Sequence, residues 1–261
     1  MSSFTADALA HKVAFVAGGT SGINLGIAQR LAAHGARVVV MGRNPDKAAA
    51  AATTITAAGG QALGLAADVR DYAAMEAALQ RTVDHFGPID IVISGAAGNF
   101  VAPATGMSAN AFKTVVDIDL LGTFNVFRAA HAHLKKPGAS LIAISAEIAD
   151  MAAWGQSHAC AAKAGVDMLV RTLALELGPE GIRVNSIRPG PIENTEGMAR
   201  LISPEAKRDF LKWVPLGRLG QASEVGDSAV FLCSDAARYV TGTVLSCDGG
   251  FQHRAGVIFK A

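Results

Sequence analysis

The sequence predicts an α/β fold, one domain built on a doubly wound parallel sheet of about seven strands, and three observations lead there. Short apolar runs alternate with longer, alanine-rich amphipathic stretches across all 261 residues. Glycine or proline closes most of these stretches, and neither a linker nor an internal repeat divides the chain. The first strand-like run enters a glycine-rich turn that opens a helix, which is the local order of a nucleotide-binding strand–turn–helix unit.

Composition narrows the function classes. Hydrophobic residues make up 51% and charged residues 17%, which excludes disorder and implies extensive burial, subunit interfaces included. With a formal net charge of +1 and no basic block, a nucleic-acid partner is not expected. No uninterrupted apolar run could span a bilayer, and the N-terminal residues lack a basic n-region, so no membrane partner and a cytoplasmic location are expected. Cys160, Cys233 and Cys247 have no C-x-x-C spacing, which suits a reducing compartment. His131 and His133 fall on different faces of a helix, so no metal site is expected.

Taken in order, residues 13–17 (VAFVA) form the first strand, and the turn after them carries Gly18, Gly19 and Gly22 before a helix opens near Ile23. Such glycines let backbone N–H groups approach a pyrophosphate, while the helix start adds unpaired donors and the positive end of its dipole. Gly35 closes that helix, and residues 37–41 (RVVVM) form a second strand that ends at Gly42-Arg43. No acidic residue stands there to accept a bond from a ribose 2′-OH. Arg43 suits a 2′-phosphate, so NADP(H) is the expected cofactor. A helix over 46–58 ends at Gly59-Gly60 and is followed by strand three at 62–66. Asp68, just beyond, is either an acceptor for the adenine amine or the cap of the next helix, 72–86.

Strand four, 89–94 (IDIVIS), delivers the chain into Gly95-Ala96-Ala97-Gly98-Asn99-Phe100, whose small residues would let a flat ring lie against the backbone. Ser108 caps a helix over 109–119, a second helical stretch covers 122–135, and Pro137-Gly138 precede strand five at 140–145. A long helix over 157–177 stops at Gly178-Pro179, and strand six, 182–187, leads to Pro189-Gly190-Pro191-Ile192. Residues 193–214 read as a substrate lid, followed by a helix at 222–233 and a last strand at 243–246.

GGTSGI (18–23), Asp68-Val69, GAAG (95–98), Ser145, Lys163, Asn185, PGPI (189–192) and DGG (248–250) together resemble the short-chain dehydrogenase/reductase family over essentially the whole chain. GAAGNF (95–100), NAFKTVVDIDLLGTFNV (110–126), AAKAGVDML (161–169) and PGPIENTEGM (189–198) resemble its 2,4-dienoyl-CoA reductases, the peroxisomal branch most of all. The chain ends in Phe259-Lys260-Ala261, which is not an S-K-L address, so a cytoplasmic bacterial-type relative is expected. The resemblance implies a Rossmann fold in which Gly18, Thr20, Ser21, Gly22, Ile23, Arg43, Asp68, Val69, Gly95, Ala96, Ala97, Lys163, Pro189, Gly190 and Ile192 hold the NADP(H). It also implies a homotetramer, assembled through the helical stretches 109–135 and 157–177 and the C-terminal strand.

Two departures from the family pattern bear on chemistry. Asn24 replaces the third glycine of the loop and adds bulk near the pyrophosphate. Most members carry a tyrosine one helical turn before the lysine, and here that position is Ala159; Ile148 occupies the upstream place where the mitochondrial-type dienoyl-CoA reductases carry theirs. Lys163 remains, with Asp119 where most relatives have asparagine. The peroxisomal branch resembles the chain in both features, which implies a water held by Asp119 and Lys163 as the proton source. Catalytic roles thus fall to Lys163, Asp119 and Ser145, the serine and lysine meeting the charge that collects on the thioester oxygen of an acyl-CoA substrate.

The neighbouring residues read more plainly. His158 lies about 140° around the helix from Lys163 and reads as a packing or subunit-contact residue. Cys160 shares the lysine's face and reads either as a substitute acid activated by the ammonium or, the preferred reading, as small filler. Phe100 and Trp154 line an acyl pocket or fill core, and Arg200, Lys207, Arg208 and Lys212 meet coenzyme A phosphates or form a polar helix face. Two other functions stand beside the dienoyl-CoA reading: reduction of another carbonyl or enone, and cofactor binding without turnover.

Overall fold

In the computed structural model, which describes residues 4–195, 198 and 207–253, seven strands form one parallel sheet in the order β3-β2-β1-β4-β5-β6-β7. The strands are β1 (Val13–Ala17), β2 (Arg37–Gly42), β3 (Gln61–Ala66), β4 (Ile91–Ser94), β5 (Ser140–Ile144), β6 (Arg183–Pro189) and β7 (Val244–Cys247). The helices are α1 (Gly22–Ala33), α2 (Pro45–Ala57), α3 (Tyr72–Phe86), α4 (Ala109–Val116), α5 (Gly122–Ala130), α6 (Ser157–Leu177), α7 (Lys207–Leu211) and α8 (Ala222–Cys233). β1, β4 and β5 are buried along their whole length, as strands covered on both faces must be.

Alternation along β1 divides the core. Ala14 and Val16 pack with Ile27, Leu31, Ile55, Val225 and Val230 on the face covered by α1, α2 and α8. Val13, Phe15 and Ala17 pack with Met75, Leu79, Phe127, Val166 and Val170 under α3, α5 and α6. The expected cap at Ser108 is present, accepting from Ala111 N at 3.1 Å, and Asn44 caps α2 in the same way, accepting from Lys47 N at 3.0 Å. Gly35 and Gly87 end α1 and α3 with φ of 93° and 92°, values that suit glycine.

The sequence leads one to expect two helical stretches over 109–135 and an interruption near Gly122. The structure instead runs α4 into α5 through a π-helical turn, Asp117–Leu121, and stops α5 at Ala130 before a 3-10 turn, His131–His133. Nothing in local propensity signals a π turn, because its extra residue per turn is set by what the helix must present to its neighbours. Of the expected lid at 193–214, residues 196–197 and 199–206, with Arg200, lie outside the described residues, as do the side chains of Lys207 and Arg208.

Strand order reverses between β1 and β4, and the registers Ala17↔Met41, Ala17↔Ser94, Ser94↔Ala143 and Ile144↔Ile187 align the carboxyl ends of the strands. The turn after β1, the loop after β4, Ser145 and the loop after β6 therefore emerge along one edge, at the switch point where such sheets bind ligands.

Candidate active site

Along that edge the nucleotide half is built from backbone. Gly18 has φ of 76°, and a Cβ there would lie 2.6 Å from Ala96 N, so the β1 turn and the β4 loop touch main chain to main chain. Gly22, φ 56°, begins α1, and a Cβ there would meet only the Thr195 methyl, at 3.9 Å, among the described residues. Ser21 makes no side-chain cap bond and no acidic residue occupies the first turn of α1, so its leading N–H groups and dipole are left for an anion from outside the protein. Thr20 packs against Gly42, at whose carboxyl side the exposed Arg43 stands. This cradle fits a dinucleotide whose pyrophosphate rests at the helix start.

Asn24 does not crowd that space from the front. Its side chain turns onto Gly95, and its amide donates to the Gly95 carbonyl at 2.6 Å, so it ties the glycine turn to the end of β4. Asp68 is not the cap of α3, a role filled by Asp71, which accepts from Ala74 N at 3.0 Å. Arg70 holds Asp68 through bonds of 2.6 to 3.2 Å. Arg70, with a smaller push from Arg43, keeps the Asp68 carboxyl below the usual carboxylate range. Val69, Pro189 and Ile192 are buried, and the Val69 carbonyl accepts from Asn125 Nδ2 at 2.9 Å. Among the described residues a cavity of about 440 Å³ runs beside Gly190, Pro191 and Ile192 toward Asp248, away from Lys163 and Asp119.

The chemical half is built from buried side chains. Lys163 Nζ lies 3.2 Å from Asp119 Oδ2, with the two side chains 10% and 1% exposed, and it donates to the Ile144 carbonyl at 2.9 Å. The other oxygen of Asp119 accepts from Gly98 N at 2.8 Å. The π turn presents this carboxylate inward, and Thr123 braces the turn by donating to the Asp119 carbonyl at 2.7 Å. An ammonium donates in three directions, and two of these are taken. Ser145, at the carboxyl end of β5, has a buried hydroxyl with no hydrogen-bond partner among the described residues, as a group reserved for a ligand would. Ala159 is buried, and the tyrosines lie elsewhere: Tyr239 is fully exposed and Tyr72 begins α3. Asn185 is a strut, joining β6 to the Val240 carbonyl and the Thr243 amide.

Of three residues beside the pair, Trp154 departs from expectation, while His158 takes the packing place that is one of its two readings. His158 is fully buried and stacks on Phe100 with ring centroids 4.2 Å apart, so it belongs to the interior of the site rather than to a subunit contact. Burial pushes its pKa down, against smaller upward pulls from the Phe100 backbone and the Asp119 carboxylate. Trp154 fills no core, being 80% exposed. Cys160 is half-buried, with Sγ 4.0 Å from the Met151 carbonyl.

Comparison with known proteins agrees with this geometry. Residues 17–252 match the family model described as enoyl-(acyl carrier protein) reductase. A peroxisomal 2,4-dienoyl-CoA reductase, (3E)-enoyl-CoA-producing, of Saccharomyces cerevisiae is 44% identical over 96% of this chain and 87% of its own length. Its Rattus norvegicus counterpart is 45% identical over 95% and 86%. A probable 2,4-dienoyl-CoA reductase, (2E)-enoyl-CoA-producing, of Bacillus subtilis is 40% identical over 92% and 96%. A crystal structure of a short-chain dehydrogenase from Bacillus anthracis superposes with a TM-score of 0.83 at 39% identity, covering 92% of this chain and 96% of that one. With the glycine cradle, the parallel sheet and the lysine of α6 all in place, the chain belongs to the short-chain dehydrogenase/reductase family.

Proposed function

We propose that the protein is an NADPH-dependent reductase of conjugated enoyl thioesters, of the 2,4-dienoyl-CoA type, in which Asp119 and Lys163 deliver a proton through a bound water. The observation that carries this reading is the buried Lys163–Asp119 pair, 3.2 Å apart, in a site where Ala159 stands at the family's tyrosine position. Gly18, Thr20, Ser21, Gly22, Ile23 and the β4 loop would hold the dinucleotide, and Arg43 its 2′-phosphate. Bound NADPH supplies a hydride to the distal carbon of the conjugated thioester. Ser145 and Lys163 meet the negative charge that then gathers on the thioester oxygen. Asp119, held in place by Gly98 N, orients the water toward the carbon that takes the proton. Protonation next to the carbonyl leaves a 3-enoyl product and protonation two carbons further leaves a 2-enoyl product, the two outcomes named for the relatives above.

The reading extends to assembly and location. Leu121, Phe124, Met168 and Leu175, 43%, 43%, 57% and 81% exposed, lie on the π turn, α5 and α6 and support burial of those helices in a homotetramer. Three free cysteines and the lack, among the described residues, of any helix able to cross a membrane fit a cytoplasmic enzyme. The deciding experiment follows NADPH loss with a 2,4-dienoyl-CoA, identifies the product, and repeats both with Asp119→Ala and Lys163→Ala. Turnover unchanged in both variants would sink the assigned roles. Sizing chromatography that finds only monomer would remove the tetramer.

A further inference from the structure

Residues 146–156 join β5 to α6 with a single 3-10 turn, Glu147–Ala149, and they frame the reacting corner: Ser145 precedes them and Lys163 follows. A segment of this kind keeps one shape through ties to its surroundings. Two ties reach the loop after β4: Ala102 N donates to the Gly155 carbonyl at 2.9 Å, and Asn99 Nδ2 donates to Gln156 Oε1 at 2.9 Å. A third runs to the sheet itself. Arg188, in β6 and 4% exposed, donates from Nη1 to Asp150 Oδ2 at 2.7 Å and from Nη2 to Asp167 Oδ2 at 2.6 Å. Asp167 stands one helical turn beyond Lys163 on α6, and its other oxygen accepts the Ser186 hydroxyl at 2.9 Å. One planar fork thus spans strand, helix and loop.

Arginine costs a great deal of desolvation in an interior strand, and an apolar side chain of similar volume would stabilise the core as well or better. What only the guanidinium provides is direction. Its two Nη donors diverge at a fixed angle, so with Asp167 holding one, the other is aimed at a defined point. Asp150 meets it there although its side chain is 64% exposed and free to be solvated elsewhere. We propose that Arg188 is a positioning residue: anchored by Asp167, it fixes Asp150 and so holds the 146–156 loop in register with Lys163 for the acyl substrate. The kinetic consequence rests on the dienoyl-CoA reading, whereas the ordering of the loop does not.

The test uses Asp150→Ala and Asp150→Asn, both at a side chain exposed enough to leave the fold intact. Hydrogen exchange of the 146–156 amides is read against those of α6, alongside NADPH affinity and steady-state kinetics with a dienoyl-CoA. Loss of a charge-assisted bond predicts about tenfold faster loop exchange and about a tenfold higher KM in Asp150→Ala. NADPH affinity and α6 exchange stay unchanged, and Asp150→Asn, which keeps an acceptor oxygen, recovers most of both effects. Loop exchange equal to wild type in Asp150→Ala overturns the proposal whatever the substrate. So does faster exchange with unchanged KM and kcat in an enzyme that turns over the thioester. If wild type does not reduce a dienoyl-CoA, the functional reading falls, and loop exchange alone decides the role of Arg188.

Discussion

The two halves of the site are made of different materials. From β1 to β3 the protein offers a ligand little but main chain: a turn pressed against Ala96, a helix start without a side-chain cap, and one exposed arginine. From the π turn to α6 it offers side chains out of reach of bulk water, a carboxylate 1% exposed against an ammonium 10% exposed. Backbone donors and helix dipoles carry no net charge to desolvate, so the first half is built without electrostatic strain. The second half confines two full charges, each tolerable only because the other is present. Binding and chemistry should accordingly fail in separate ways.

The largest effect expected is at the buried pair. Lys163→Met should lower kcat by about 10²- to 10⁴-fold, the span of a lost proton-transfer group. It should also destabilise the fold by about 3–5 kcal/mol, because Asp119 is left buried and unpaired. Adding Asp119→Asn to Lys163→Met should restore much of the stability and none of the turnover. Urea unfolding of the singles and the double checks this, and a double variant no more stable than Lys163→Met would break the contrast.

Next in size is Gly18→Ala. Its Cβ would meet backbone rather than a yielding side chain, at a φ of 76°. A rise of about tenfold or more in the NADPH Kd is expected, with a stability loss of about 1–3 kcal/mol. Calorimetry with NADPH, supported by circular dichroism, measures both. Arg43→Gln should weaken NADPH by about tenfold and leave NADH unchanged, since only the 2′-phosphate loses a partner. Equal weakening of the two would remove Arg43 from the site.

The smallest effect is expected at Asp68→Asn. Arg70 holds the Asp68 pKa below its ordinary value in the folded chain, so the pair contributes stability above the unfolded carboxylate pKa and loses it as pH falls through the lower folded one. The pair is partly exposed, so the difference between wild type and variant should stay under about 1 kcal/mol near neutrality and close toward acid pH. A difference that widened on acidification would contradict this sign.

The same division explains what could be read in advance. Strand positions, the caps at Ser108 and Gly35, the glycine cradle and the absence of a tyrosine near Lys163 are local in sequence, and each has a local cause in propensity, backbone freedom or spacing. The stacking of His158 on Phe100, the aim of Asn24 at Gly95 and the exposure of Trp154 depend on which segment lies opposite, and no periodicity along one helix carries that information. Arg188 had only a faint signal, a second arginine in a strand that is buried from Val184 to Pro189.

The sequence by itself determined the alternation of strands and helices, the nucleotide turn and the presence of Lys163 and Asp119, because these follow from the order of residue types along the chain. Tertiary structure alone decided that the carboxylate and the ammonium, 44 positions apart in the numbering, lie 3.2 Å from each other. A π turn sets the angle of one and the burial of α6 sets the other. Distance in space between residues far apart in sequence is created by packing, and packing is settled by every element at once.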